Sequence, residues 1–237
     1  MTDCHEVVPG IDWPDAAYVA RVTERVAAVR ERMASAGGSD VVLVAVTKTF
    51  GPSALLAAGA TGCGAVGENY AQELVAKLDA LDAAGLLAEV PGVHFIGQLQ
   101  TNKVRALAGR VAVYETVDRS SLAREIATRA TGARVLVQVD ATGEPGKGGC
   151  PVDDVPRLVD ECRSLGLTTI GLMTVGPTVG DAADTRRAFR SVRRLLDHLG
   201  LAVCSMGMSD DLEIAIEEGS TQVRVGSALF GARPPVS

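Results

Sequence analysis

The sequence predicts an α/β fold, a TIM-type (β/α)8 barrel preceded by an extra N-terminal helix. Three observations carry that prediction. Eight short, Val-rich apolar runs recur along the 237 residues, and each is followed by a stretch with helical spacing. That alternation builds parallel sheets. The runs are apolar on both faces, as strands covered by helices on one side and by a barrel core on the other must be. The length also suits eight β/α units, which take about 250 residues. A doubly wound open sheet is the alternative that the same alternation allows.

The elements follow in order. Val19, Val22, Val26, Val29 and Met33 fall on one face of a helix that Gly37 and Gly38 end. The expected strands are 41–47 (VVLVAVT), 64–67 (GAVG), 93–97 (VHFIG) and 111–117 (VAVYETV), then 134–140 (RVLVQVD), 168–173 (TTIGLM), 202–206 (AVCSM) and 222–225 (QVRV). Helices are expected near 52–59, 70–84, 101–109, 119–131, 152–165, 182–199 and 209–218, with a last turn or helix from Ser227. Gly143 to Gly149 reads as a loop and not as a domain boundary. No linker divides the chain, so residues 1–237 are expected to form one domain, with 1–13 flexible.

Composition narrows the function classes. The formal charge of −6 argues against a surface built for nucleic acid, and 3% aromatic residues supply few stacking platforms for single strands. Five scattered cysteines with no C-x-x-C pair read as reduced thiols of a cytosolic protein. The acidic N-terminus has no apolar core of a signal peptide, and no run is long enough to cross a membrane. His5, His94 and His198 have no metal-like spacing, so no metal is expected.

In a barrel the chemistry gathers where the strands end. The first strand ends on Lys48, an amine at an apolar mouth where desolvation disfavours the ammonium. A neutral lysine amine attacks carbonyls and forms Schiff bases. A surface lysine marking the strand end is the plain alternative. The last strand runs into Gly226 and Ser227, where glycine admits a ligand close to the backbone and the next turn offers N–H groups to an anion. Ser209 reads as a helix N-cap or a phosphate contact after the seventh strand. Together these describe a phosphorylated carbonyl compound held at both ends. Arg224, between Val223 and Val225, points to the opposite strand face and needs a buried acceptor. Either an acid such as Glu68 or a ring nitrogen of a cofactor would serve.

The motifs AVTKT around Lys48, GENYAQE (67–73), HFIGQLQTNK (94–103), GLMTV (171–175), SMGMSDDLEIAIEEGST (205–221) and VRVGSALFG (223–231) carry a resemblance. From about Val41 to Gly231 the chain resembles the pyridoxal-phosphate homeostasis protein family, single-domain relatives of the barrel half of bacterial alanine racemases. The resemblance implies pyridoxal 5'-phosphate as an internal aldimine on Lys48. It implies phosphate contacts from Ser209, Gly226 and Ser227, Asn69 near the ring, and Arg224 near the pyridine nitrogen. Lys147 matches a second family lysine, in a mobile loop, with a possible part in cofactor transfer. Asp140, where the family usually carries asparagine, and the glycine-rich segment PGKGGCP (145–151) depart from the pattern.

The resemblance also implies a cytoplasmic, often monomeric protein that buffers the cofactor or delivers it to apo-enzymes. Arg224 fits that role, because a guanidinium cannot accept the proton that strong carbanion catalysts place on the ring nitrogen. A weak amino-acid racemase is the alternative. It would need a second base opposite Lys48, and Tyr18, Tyr70 and Tyr114 occupy no clearly equivalent place. The arginine stripe Arg186, Arg190, Arg193 and Arg194 is expected to be the solvated face of an outer helix.

Overall fold

The computed structural model describes residues 14–144 and 146–232; the expected flexible segment 1–13 lies outside the described residues. Helix α1 (Ala16–Ser35) opens the chain, capped by the Asp15 carboxylate, which accepts from Tyr18 N at 2.6 Å. Its Val22, Val26, Val29 and Met33 are buried, as the spacing predicts. At its end Gly37 takes φ 86° and the Gly38 N–H returns to the Met33 carbonyl at 2.8 Å, a turn that glycine permits.

The strands are β1 (Val42–Val46), β2 (Ala65–Glu68), β3 (Gly92–Phe95), β4 (Val113–Val117), β5 (Arg134–Asp140), β6 (Cys150–Pro151), β7 (Thr168–Met173), β8 (Val203–Ser205) and β9 (Gln222–Val225). The helices after α1 are α2 (Pro52–Ala60), α3 (Ala71–Ala83), α4 (Thr101–Leu107), α5 (Ser120–Arg129), α6 (Val155–Ser164), α7 (Ala182–His198), α8 (Leu212–Glu217) and α9 (Ser227–Phe230). The hydrogen-bonded order is β4-β3-β2-β1-β9-β8-β7-β5, and β5 pairs back onto β4. All of these pairings are parallel. Eight strands therefore close into a barrel, and the open-sheet alternative is excluded.

The ninth strand was not foreseen. β6 is a two-residue pairing on β5, and the loop before it is tied down by polar contacts. Asp140 Oδ1 accepts from Gly143 N at 2.8 Å, and Gln138 Nε2 donates to the Gly148 carbonyl at 2.6 Å. Gly149 has no alternative here, since a Cβ at its φ of 144° would lie 2.5 Å from Asp140 N.

Two layers fill the molecule. Between strands and helices lies an apolar core that includes Leu55, Leu74, Ile126, Leu158 and Phe189, all fully buried. Inside the barrel Val113, Leu136 and Met173 form a separate apolar cluster. Beside it polar side chains reach across the lumen, as the bonds from Glu115 on β4 to Ser205 on β8 and Gln222 on β9 require.

The arginine stripe lies on α7, which starts with a capping box of Asp181 and Asp184. Arg190 makes a two-pronged bond to Glu218 at 2.9 and 2.8 Å, Arg186 pairs with Glu217 and Glu218, and Arg193 pairs with Asp197. The stripe is thus the solvated outer helix expected, stitched to the end of α8. Converting Arg190 and Arg194 to glutamate removes the two-pronged bond to Glu218 and sets a like charge beside it at position 190. We expect a slightly lower urea midpoint with an unchanged far-UV spectrum.

Candidate functional site

Parallel strands place all their C-terminal ends on one face. Lys48, Asn69 and Gly226 follow β1, β2 and β9, which are neighbours in the order β2-β1-β9. The structure therefore brings these three together. β1 buries its last four residues and the next residue, Thr47, is fully buried. Lys48 emerges half-buried, and the chain then turns sharply with Thr49 at φ 69°. Asn69 is fixed from above: a Cβ at Gly97 would lie 2.1 Å from its carbonyl oxygen. Its side-chain Oδ1 is buried without a hydrogen-bond partner. It borders a cavity of about 370 Å³ that Phe95, Gln98, Lys103 and Arg119 also line.

On the other side of Lys48, Gly226 lies against β1. A Cβ there would sit 3.2 Å from the Val46 carbonyl oxygen. The helical bonds of α9 begin with Leu229 N and Phe230 N on the Gly226 carbonyl, so the Ser227 and Ala228 amides precede the first of them. Ser209 needs a correction. It does not cap α8, whose N-cap is Asp211. Ser209 stands in the turn before it, where its carbonyl accepts from Arg32 at 2.9 Å. The Asp211 carboxylate accepts from Met208 N at 2.5 Å, and burial pushes its pKa up. The serine lies within the loop after β8, two residues before the N-cap that the capping reading assigned to it.

Arg224 is buried inside the barrel, as its alternation with Val223 and Val225 requires. Its Nη1 donates to Ser205 Oγ and its Nη2 to the Thr174 carbonyl, both at 2.7 Å. The acid behind it is Glu115 and not Glu68. Glu115 accepts from Ser205 Oγ at 2.7 Å and Gln222 Nε2 at 2.7 Å, and meets His94 Nδ1 at 2.6 Å. Full burial raises the Glu115 pKa. The hydrogen bond to His94 and the charge of Arg224 outweigh burial and leave it below the ordinary value. Burial lowers the Arg224 pKa in turn, with Glu115 opposing.

Glu68 instead faces α3. Its Oε1 accepts from Thr47 Oγ1 at 2.7 Å and from Lys77 Nζ at 2.6 Å. Lys77 also donates to Glu73 and to the Thr47 carbonyl. Burial raises the Glu68 pKa, with the Lys77 charge opposing. Lys147, across the mouth, donates to the Gly176 carbonyl at 2.5 Å and pairs with Glu144 at 2.9 Å. It reaches the strand-end face near β7, apart from the β2-β1-β9 group.

Sequence reasoning missed Glu115, Glu73 and Lys77. Their signals were present. Glu115 is a charge inside a Val-rich strand, as Arg224 is. Lys77 falls on the apolar stripe of α3 with Leu74, Leu78 and Leu81. Among the described residues no group of His, Cys, Asp or Glu could hold a metal ion, and no helix is long and apolar enough to cross a membrane.

A closed (β/α)8 barrel with a lysine at the end of its first strand and a glycine turn after its last defines the alanine racemase type of barrel. The family model for the alanine racemase N-terminal domain matches residues 19–234. The chain belongs to the pyridoxal phosphate homeostasis protein family. It is 39% identical over 229 residues to the protein of that name from Pseudomonas aeruginosa, covering 91% of this chain and 97% of the relative. It is 38% identical over 226 residues to that of Aquifex aeolicus, covering 91% and 96%. Among solved structures, PipY of Synechococcus elongatus with bound pyridoxal phosphate aligns at a TM-score of 0.73 and 29% identity, covering 89% of this chain and 100% of that one. Alanine racemase of Corynebacterium glutamicum aligns at 0.70 and 18% identity, over 92% of this chain and 62% of that one, a likeness of fold alone.

Proposed function

We propose that this protein binds pyridoxal 5'-phosphate through Lys48 and buffers or delivers it within the cell. The observation that carries this reading is the grouping of Lys48, the Gly226–Ser227 turn and Asn69 on three adjacent strand ends. The residues fit the cofactor. The Ser227 and Ala228 amides suit its phosphate, and Ser209 lies in the neighbouring loop. The orphaned Asn69 Oδ1 awaits a donor. Lys48 supplies an amine at a half-buried mouth. The relatives' names and the cofactor bound to PipY support the same assignment.

When bound, pyridoxal phosphate supplies an aldehyde and an electron sink. Arg224 limits the second. Its guanidinium donates hydrogen bonds and accepts none, so it cannot hold a ring nitrogen in its protonated form. Storage of the aldehyde fits such a site better than turnover. A weak racemase remains the second reading, and it needs another base. The Tyr114 hydroxyl is buried and its pKa is pushed up to about 12, while Tyr70 is 54% exposed near the lip. Neither suits that role.

We take the barrel to act as one unit across the chain, as a cytoplasmic monomer whose recipients are apo-enzymes that use the cofactor. Lys147 would assist release from the opposite rim. The test is an absorption spectrum of the purified protein with pyridoxal phosphate, then borohydride reduction and peptide mapping. The expected result is a yellow protein with the reduced adduct on Lys48. A colourless protein without adduct would return Lys48 to the role of a surface lysine.

A further inference from the structure

The two residues that flank Lys48 are fixed by one ionic cluster. Before it, the Thr47 hydroxyl donates to Glu68 Oε1 at 2.7 Å, and the Thr47 carbonyl accepts from Lys77 Nζ at 2.9 Å. After it, the Thr49 N–H donates to Glu73 Oε1 at 2.6 Å. Lys77 joins the two carboxylates, at 2.6 Å to Glu68 and 2.5 Å to Glu73. The backbone on both sides of Lys48 therefore hangs from one buried ammonium on α3.

The turn so held is strained. Thr49 takes φ 69°, a left-handed conformation that a β-branched residue rarely adopts. Such a conformation persists only where the surroundings over-determine it, and it points to function. Stability alone is weak ground for a buried ion cluster, since apolar side chains of similar volume often replace buried ion pairs without loss. What an ion cluster adds over apolar packing is directed bonds. Here three of those bonds end on the backbone or side chain of the residues next to Lys48.

We propose that Glu73 and Lys77, with Glu68 as the shared acceptor, are positioning residues that aim the Lys48 amine into the barrel mouth. The proposal rests on the reading that Lys48 takes up an aldehyde. In that step the neutral amine nitrogen bonds to the carbonyl carbon, and the carbonyl oxygen leaves as water with the two amine protons. Attack requires the nitrogen on the right line, and a shift of about 1 Å slows such steps by up to about a hundredfold.

The experiment measures the rate at which pyridoxal 5'-phosphate becomes trapped on Lys48 by borohydride in the full-length protein. Glu73 is tested first because its side chain is 26% exposed, so its loss should leave the fold intact. Glu73→Ala is expected to slow trapping by about tenfold or more. Affinity for pyridoxine 5'-phosphate, which has no aldehyde to condense, should change by no more than about twofold. Glu73→Gln, which keeps an acceptor for the Thr49 N–H, is expected to recover most of the rate. The pair Glu68→Gln/Lys77→Met removes both buried charges together and should match the alanine variant; it decides the matter if Glu73→Ala lowers the melting temperature. Trapping at the wild-type rate in the deciding variant overturns the proposal. So does a loss that Glu73→Gln fails to repair. Wild-type protein that traps nothing on Lys48 refutes the underlying reading as well, and is told apart because the variants then have no rate to lose.

Discussion

Lys48→Ala is expected to abolish the covalent adduct completely while leaving the barrel folded. Mass spectrometry after incubation with pyridoxal phosphate and borohydride should show unmodified protein. The physical ground is that no other lysine shares the position at the end of β1. Lys77 is spent on Glu68, Glu73 and the Thr47 carbonyl, and Lys147 on Glu144 and the Gly176 carbonyl. Stability should change by about 0.5 kcal/mol or less, because a half-buried lysine at a strand end contributes little. The phosphate end of the site, around Gly226 and Ser227, is untouched. Weak non-covalent binding of the cofactor should therefore survive. An adduct that persists in Lys48→Ala, mapped to Lys103 or Lys147, would move the site to another part of the mouth. Steady racemisation of L-alanine by wild-type protein, lost in this variant, would favour the enzyme reading.

The strands were legible because they are buried on both faces. Each of the eight expected runs lies within two residues of an observed barrel strand. The inward direction of Arg224 was also legible, since period-two alternation fixes it once Val223 and Val225 face the helices. Its partner was not. Glu115 lies on β4, and β4 and β9 are not neighbours in the sheet, so no local pattern joins them. Glu68 was the nearer guess by position on β2, but it faces Lys77 on α3. The Ser209 cap failed for a different reason. A serine followed by two aspartates offers three residues able to cap, and Asp211 took the position two residues later. Asp140 shows the opposite outcome. It departs from the family pattern, yet its carboxylate closes the loop by accepting from Thr142 N and Gly143 N, an Asx turn that asparagine makes as well.

The second large effect concerns that hidden pair. Arg224→Met is expected to destabilise the protein by about 3 kcal/mol, because it removes the cation that faces the buried Glu115 carboxylate across Ser205 and leaves the Thr174 carbonyl without its donor. Glu115 would keep its bonds to Ser205, Gln222 and His94 but lose the opposing charge. Urea denaturation would show this as a lower midpoint with an unchanged slope. The double variant Glu115→Gln/Arg224→Met should regain a good part of the loss, because no unpaired charge then remains. If the double variant were no more stable than Arg224→Met, the charge of Glu115 would not be the cause. The same pair sets an acid limit. The folded-state pKa of Glu115 lies below its ordinary 4.5, so below pH 4.5 the unfolded chain binds more protons than the folded one. Stability from this group is fully present above 4.5 and is lost as pH falls through the lowered folded value. In the double variant that share of the acid sensitivity should vanish, and the difference between the two pH profiles isolates one carboxylate at the centre of the barrel.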